Sequence, residues 1–194
     1  MYNYGNMLLY GNGIKKDLNE AKKYFKMAAD KGDDNSMCNY AYILDIEKNP
    51  ENKKEIEYYY KLAIDKGNTQ AMNNYASMLQ HGDYLEVNKK EELKYYKLAA
   101  DKGNIMSILN YAQMNYNGDG IEINVKEALK YYKIAADNGD IQGIYNYSII
   151  NYNEKNYNEA FKYIKIAAEL GDEKSMYNYG VMLSTGEGTD INKK

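Results

Sequence analysis

The 194 residues contain no tryptophan and no arginine, and only one proline, one cysteine and one histidine. Each shortage removes a class of function. A single cysteine, Cys38, excludes a disulfide framework, and with His81 as the sole histidine there is no Cys/His zinc set. All 25 basic residues are lysine, so the planar fork best suited to phosphate and guanine recognition is missing. Acids and bases are interleaved to a net charge of −3, with no basic stripe of the kind nucleic acid requires. No apolar run approaches the roughly 18 residues that a helical membrane span needs. The first twenty residues lack the hydrophobic block of a signal peptide. The chain is therefore expected to be soluble and cytoplasmic, with no cofactor, no nucleic-acid partner and no membrane segment.

What is present in excess is tyrosine, 24 residues against 2 phenylalanines. Lys, Asn, Tyr and Ile together are the bias an AT-rich coding sequence produces, so their abundance alone carries no functional meaning. Their spacing does. Asn-Tyr followed by a small residue occurs at 3–5, 39–41, 74–76, 110–112, 146–148 and 178–180, and the tyrosines step by 36, 35, 36, 36 and 32. A second marker keeps the same register: YFKMAADKG (24–32), YYKLAIDKG (59–67), YYKLAADKG (95–103), YYKIAADNG (131–139) and YIKIAAELG (163–171). Its glycines step by 35, 36, 36 and 32. Two independent markers in one register define a repeat.

Each repeat reads as two helices. Met72, Tyr75, Ala76 and Leu79 lie at i, i+3, i+4 and i+7, one helical face, matched by Met37/Tyr40/Ala41/Leu44 and Met176/Tyr179/Gly180/Leu183. Ala21, Tyr24, Phe25 and Ala28 form the corresponding face of the second helix, matched by Ala128/Tyr131/Tyr132/Ala135. Asp17, Asn52, Asn88, Asn124 and Asn156, each with Glu three residues on, resemble capping boxes. Gly32, Gly67, Gly103, Gly139 and Gly171 stand where a left-handed C-cap is wanted. A hairpin of this size cannot bury its apolar face alone, so the repeats are expected to stack. The expected organisation is a single array over 1–194, with complete repeats 34–68, 69–104, 105–140 and 141–172 and partial repeats at 1–33 and 173–194. Both ends fall inside a hairpin, which predicts fraying there, a longer parent array, and Met1 as an internal repeat position.

The pattern N-Y-[GA]-x-M-L-x-x-G-x-G, closing on A-A-D-x-G, resembles the Sel-1-like repeat, a relative of the tetratricopeptide repeat. The match runs over essentially the whole chain. Its glycine pair is present at Gly11/Gly13, Gly118/Gly120 and Gly186/Gly188. The second repeat replaces it with EKNPENKK around Pro50, the third keeps only Gly82, and the fifth is four residues shorter and reads NEKNYNEAFKY. The resemblance implies an all-α, right-handed superhelical solenoid of antiparallel helix hairpins, about five repeats plus a partial one. It also implies a non-enzymatic scaffold whose first helices line a concave face that binds a peptide segment or a partner helix.

Candidate contact residues follow from that frame. Asn39, Asn74, Asn110 and Asn146 form a ladder with two readings, bonding a ligand backbone or fixing the packing of neighbouring repeats, and the second is favoured because polar groups at a helix junction usually need a local partner. The variable places along the first helices include Tyr42, Ser77, Gln113, Tyr116 and Tyr152. Tyr42, Gln113, Tyr116 and Tyr152, with Tyr145, are expected to make an aromatic groove, because tyrosine offers large contact area at small entropic cost. His81 reads as a solvated loop residue, Cys38 as a lone thiol, and the lysines of each YYK as a solvated helix face. The glycine pairs read as turns, since no strand precedes them and a third glycine is absent. Asn146 heads a glycosylation sequon that coincides with the repeat frame. Two alternatives count for less. A helical-repeat RNA reader would need a basic groove, and a weak hydrolase of the Cys-rich relatives would need their paired cysteines.

Overall fold

The computed structural model describes residues 1–81 and 87–189. Every regular element among them is helical: α1 Tyr2–Tyr10, α2 Leu18–Ala29, α3 Asp34–Ile46, α4 Lys53–Asp65, α5 Thr69–His81, α6 Lys89–Asp101, α7 Ile105–Asn117, α8 Val125–Asp137, α9 Ile141–Asn153, α10 Tyr157–Glu169 and α11 Glu173–Thr185, with a 3-10 turn at Pro50–Asn52. The chain forms two compact units, Met1–Asn104 and Ile105–Lys194. The first holds the hairpins α1/α2, α3/α4 and α5/α6, the second α7/α8 and α9/α10 followed by α11. Gly82 and the Asn192 position lie outside the described residues.

The helix ends explain much of the repeat. Asp17, Asn88 and Asn124 each accept the backbone N–H three residues on, as the spacing predicts. Asn52 and Asn156 make no such bond. Pro50 draws Asn52 into the 3-10 turn, where Asn49 accepts from the Glu51 amide instead. First helices are capped too, by Asp33, Asn68, Asp140 and Asp172, residues the pattern did not single out. The glycine of each AADKG turn is left-handed, and the residue after it bonds back to a carbonyl in the last turn, as Asp33 N does to Ala28 O at 3.2 Å. This is a Schellman closure. The G-x-G glycines are left-handed as well and serve as turns.

The predicted faces are buried in α3, α5 and α8. Within each hairpin the first-helix tyrosine meets one on the second helix edge-on. The pairs in the first unit are Tyr4/Tyr24, Tyr40/Tyr59 and Tyr75/Tyr95, with ring centroids 4.8–4.9 Å apart. Those in the second are Tyr111/Tyr131 and Tyr147/Tyr163, at 4.6 and 4.7 Å. Such pairs contribute about 0.5–1.5 kcal/mol beyond their buried area. The glutamate of the capping box receives the same tyrosine's hydroxyl: Tyr40 donates to Glu55 (3.0 Å), Tyr111 to Glu127 (3.4 Å) and Tyr147 to Glu159 (3.3 Å).

Two of the YYK lysines, Lys26 and Lys133, depart from the expected solvated face, whereas Lys165 is exposed. Lys26 of α2 lies 5.5 Å over the Tyr40 ring and 4.6 Å over Tyr59, in the next hairpin. It also bonds the Tyr59 hydroxyl and Asp30. Those two bonds, Tyr59 first, hold the lysine well above its ordinary value and keep it charged. In the second unit Lys133 sits over Tyr147 and Tyr163 in the same way. A ring pair offers a cation a negative face that a solvated position lacks. Each such lysine therefore ties one hairpin to the next. One position breaks the apolar rule: Glu92 stands where Ala21, Ile56, Ala128 and Ala160 stand in the other second helices, fully buried and 3.1 Å from Lys89 Nζ.

Candidate functional site

In the first unit the asparagine ladder has local partners. Asn39 donates to Asn6 across α3 and α1 at 3.0 Å. Asn74 of α5 reaches the Cys38 sulfur of α3 at 3.8 Å, and its carbonyl accepts from Gln70 at 2.8 Å. The Asn39–Asn6 and Asn74–Cys38 contacts each join neighbouring repeats. Tyr42 is exposed; it and Asn74 lie near Tyr60, whose buried phenol is pushed well above its ordinary value by desolvation. Burial likewise pushes the Cys38 thiol up to about 12, which leaves it protonated and a poor nucleophile. Ser77 is half-buried, and its carbonyl lies 2.7 Å from His81 Nδ1, so the proton belongs on that nitrogen. His81 is the exposed last residue of α5. Ser77, His81 and Asp45 border a polar cavity of about 220 Å³.

The second unit gathers more of the predicted residues. Asn153 donates to the Tyr116 hydroxyl at 3.3 Å, so α9 and α7 present one polar edge. Tyr152 donates to Glu187 at 2.8 Å and stacks edge-on with Tyr157 at 5.3 Å. The glutamate, more than burial, raises this phenol above its ordinary value. Tyr152 also borders a mainly apolar cavity of about 160 Å³, walled by Ile149, Ile164, Val181 and Met182 and edged by Asn178. Tyr145 packs on the neighbouring Ala160/Ile164/Met182 cluster. Asn110 and Asn146 are half-buried and Gln113 is exposed. Among the described residues no group of three or more His, Cys, Asp or Glu could hold a metal, and no helix is long and apolar enough to cross a membrane.

The family model described as Sel1 repeat matches residues 1–33, 57–68, 69–104, 105–140, 145–172 and 173–194. The chain belongs to the Sel1 repeat family. No curated protein matches its sequence. Among solved structures, a Sel1 repeat protein from Oxalobacter formigenes superposes with a TM-score of 0.81 at 22% identity, over 99% of this chain and 81% of that one. A protective antigen of uropathogenic Escherichia coli with an SLR fold gives 0.80 at 19% identity, over 99% of this chain. The Sel1 chain spans 42% of the length of that antigen. At these identities the likeness is one of fold.

Several contributors to the Sel1 chain's apolar cavity escaped the pattern of candidates, Ile164 and Asn178 among them. Ile164 lies on a second helix, which the repeat frame assigns to core packing. Asn178 carries the ladder position into α11, and its membership was visible only as a copy of Asn39 and Asn74. Asn115 and Asn151 escaped too. They occupy the place of Leu44 and Leu79, are buried, and donate to the carbonyls of Tyr111 and Tyr147.

Proposed function

We propose that the chain is a non-enzymatic protein-interaction scaffold whose first-helix face binds a peptide segment or a partner helix. The supporting observation is the cavity of the second unit, apolar within and edged by Tyr152, Asn153 and Asn178. Such a recess takes one large apolar side chain, while the polar edge orients the backbone that carries it. Tyr116, Tyr145, Gln113, Asn110 and Asn146 extend the contact surface in this unit. Tyr42, Asn74 and Ser77 play the same part in the first. Membership of the Sel1 family supports a scaffold, since its members generally hold protein complexes together.

A displayed peptide library selected on the full chain supplies a probe for the test. Tyr152→Ala and the pair Gln113→Ala/Tyr116→Ala should each weaken the selected peptides about tenfold or more, the loss typical of a central aromatic anchor. Unchanged affinity in variants that keep their helix content would rule this face out.

A further inference from the structure

Asn-Gly is the dipeptide in which a chain can modify itself without an enzyme, because glycine has no Cβ to shield its nitrogen. This sequence holds three such pairs, Asn12-Gly13, Asn117-Gly118 and Asn138-Gly139. In the reaction the glycine nitrogen attacks the asparagine side-chain amide. That needs a side chain free to swing back over its own peptide, and a glycine N–H that no carbonyl holds. All three asparagines are exposed, so exposure does not choose between them. Their hydrogen bonds do. Asn138 is locked twice: its side-chain amide donates to Ile134 O at 2.8 Å, and Gly139 N donates to Ala136 O at 2.9 Å. Gly118 N donates to Met114 O at 3.0 Å, and this glycine is closely covered, since a Cβ there would fall 2.6 Å from Ile123 Cγ1. At the first pair neither lock is present. Among the described residues nothing accepts the Gly13 N–H or bonds the Asn12 side chain. The atom nearest a Cβ at Gly13 is Met7 Cε, at 3.9 Å. The turn is meanwhile held from its other side, where Gly11 N and Asn12 N both donate to Met7 O, at 2.8 and 3.1 Å.

We infer that Asn12 is a self-modification site, converted to aspartate and isoaspartate with water as the co-reactant. The Gly13 nitrogen loses its proton to solvent base and forms a bond to Asn12 Cγ. The Cγ–Nδ2 bond breaks, and ammonia leaves with a proton taken from solvent, which closes a succinimide. Water then opens that ring, and the Gly13 nitrogen recovers its proton. Attack at Cγ gives aspartate; attack at the main-chain carbonyl gives isoaspartate, with an extra methylene in the backbone between residues 12 and 13. Either product puts a carboxylate just past the C-terminus of α1, where the helix dipole disfavours negative charge. Isoaspartate also changes the length of the turn that brings Asp17 N to Leu8 O at 3.0 Å. The modification therefore loosens the α1/α2 junction.

The full chain is held in mildly alkaline heavy-oxygen water and sampled over days, with peptide mass spectrometry to locate each conversion. Asn12 should convert about fivefold or more faster than Asn117 and Asn138, the factor that one net backbone hydrogen bond represents. Heavy oxygen should appear in both aspartate and isoaspartate at that position. The rate should rise with pH, because the attacking nitrogen must lose its proton. In urea the three pairs should convert at similar rates, since unfolding frees every glycine amide. Asn12→Gln, whose longer side chain closes its ring far more slowly, should remove the signal at residue 12 and leave helix content unchanged. Equal rates in the folded chain, or faster conversion at Asn117 or Asn138, would overturn the inference. So would a ratio that survives in urea, since the local sequence rather than the fold would then set it.

Discussion

Lys48 and Lys155 hold φ of 51° and 63°, one residue beyond the last capped turn of α3 and α9. Other helix ends in this chain place glycine in that conformation. An L-residue loses roughly 1–2 kcal/mol in the left-handed region because Cβ crowds the following carbonyl. Lys155→Gly is expected to raise stability by about 0.5–1 kcal/mol, reduced from the full strain by the added freedom of the unfolded chain. The urea midpoint measures it, and a lower midpoint would show that the lysine is held there by contacts worth more than the strain. The sequence showed that the second and fifth repeats lack the glycine pair. It did not show which residue takes over the left-handed position, because that depends on where the helix stops.

A row of small residues runs through the first helices four positions before the repeat tyrosine: Ser36, Ala71, Ser107, Gly143 and Ser175, all buried. Its purpose is plainest at Gly143. A Cβ there would fall 2.4 Å from Ala135 Cβ and 2.9 Å from the Ala136 nitrogen, so α9 crosses the backbone of α8 at closest approach. Gly143→Ala should destabilise the chain by about 1–3 kcal/mol, the usual cost of overpacking a contact made by backbone. A drop in Tm with retained helix content is the expected reading; an unchanged Tm would mean the two helices can part freely. The amphipathic stripes were legible from periodicity, but this row was not, since Ser, Ala and Gly give no apolar signal. The capping-box glutamates were legible as helix-start residues, yet Glu55, Glu127 and Glu159 also accept tyrosine hydroxyls from the first helix of their hairpins.

For the chain as a whole, the tyrosine-rich core sets the response to alkali. Burial pushes the phenols of Tyr75 and Tyr132 from 10.0 up to about 12, and the Cys38 thiol from 9.0 up to about 12. The folded state therefore keeps protons that the unfolded chain releases. Stability from these groups is complete below the unfolded values and is lost as pH rises through the folded ones. Urea midpoints should be level up to about pH 9 and fall steadily between pH 10 and 12. The share of the tyrosinate absorbance that belongs to Tyr75 and Tyr132 should appear with unfolding rather than before it. A midpoint that holds constant through that window would contradict the burial of these phenols as the governing effect.

The sequence alone determined the repeat, its two helices, three of the second-helix caps and the left-handed turns. All of these arise from interactions between residues close in the chain, and the repetition confirms each reading several times over. The Sel1 frame was legible for the same reason. Tertiary structure alone decided which lysine covers which ring pair and which residues wall the cavity of the second unit. They bring together residues twenty or more positions apart in sequence: Lys26 with Tyr59, Phe25 with Gly5, and Ile149 with Val181 around one cavity. MYNYG, in α1 and again in α11, carries the same local signal in both copies, yet Gly5 packs on the Phe25 ring of α2 while no described atom outside its own helix lies within 4 Å of a Cβ at Gly180.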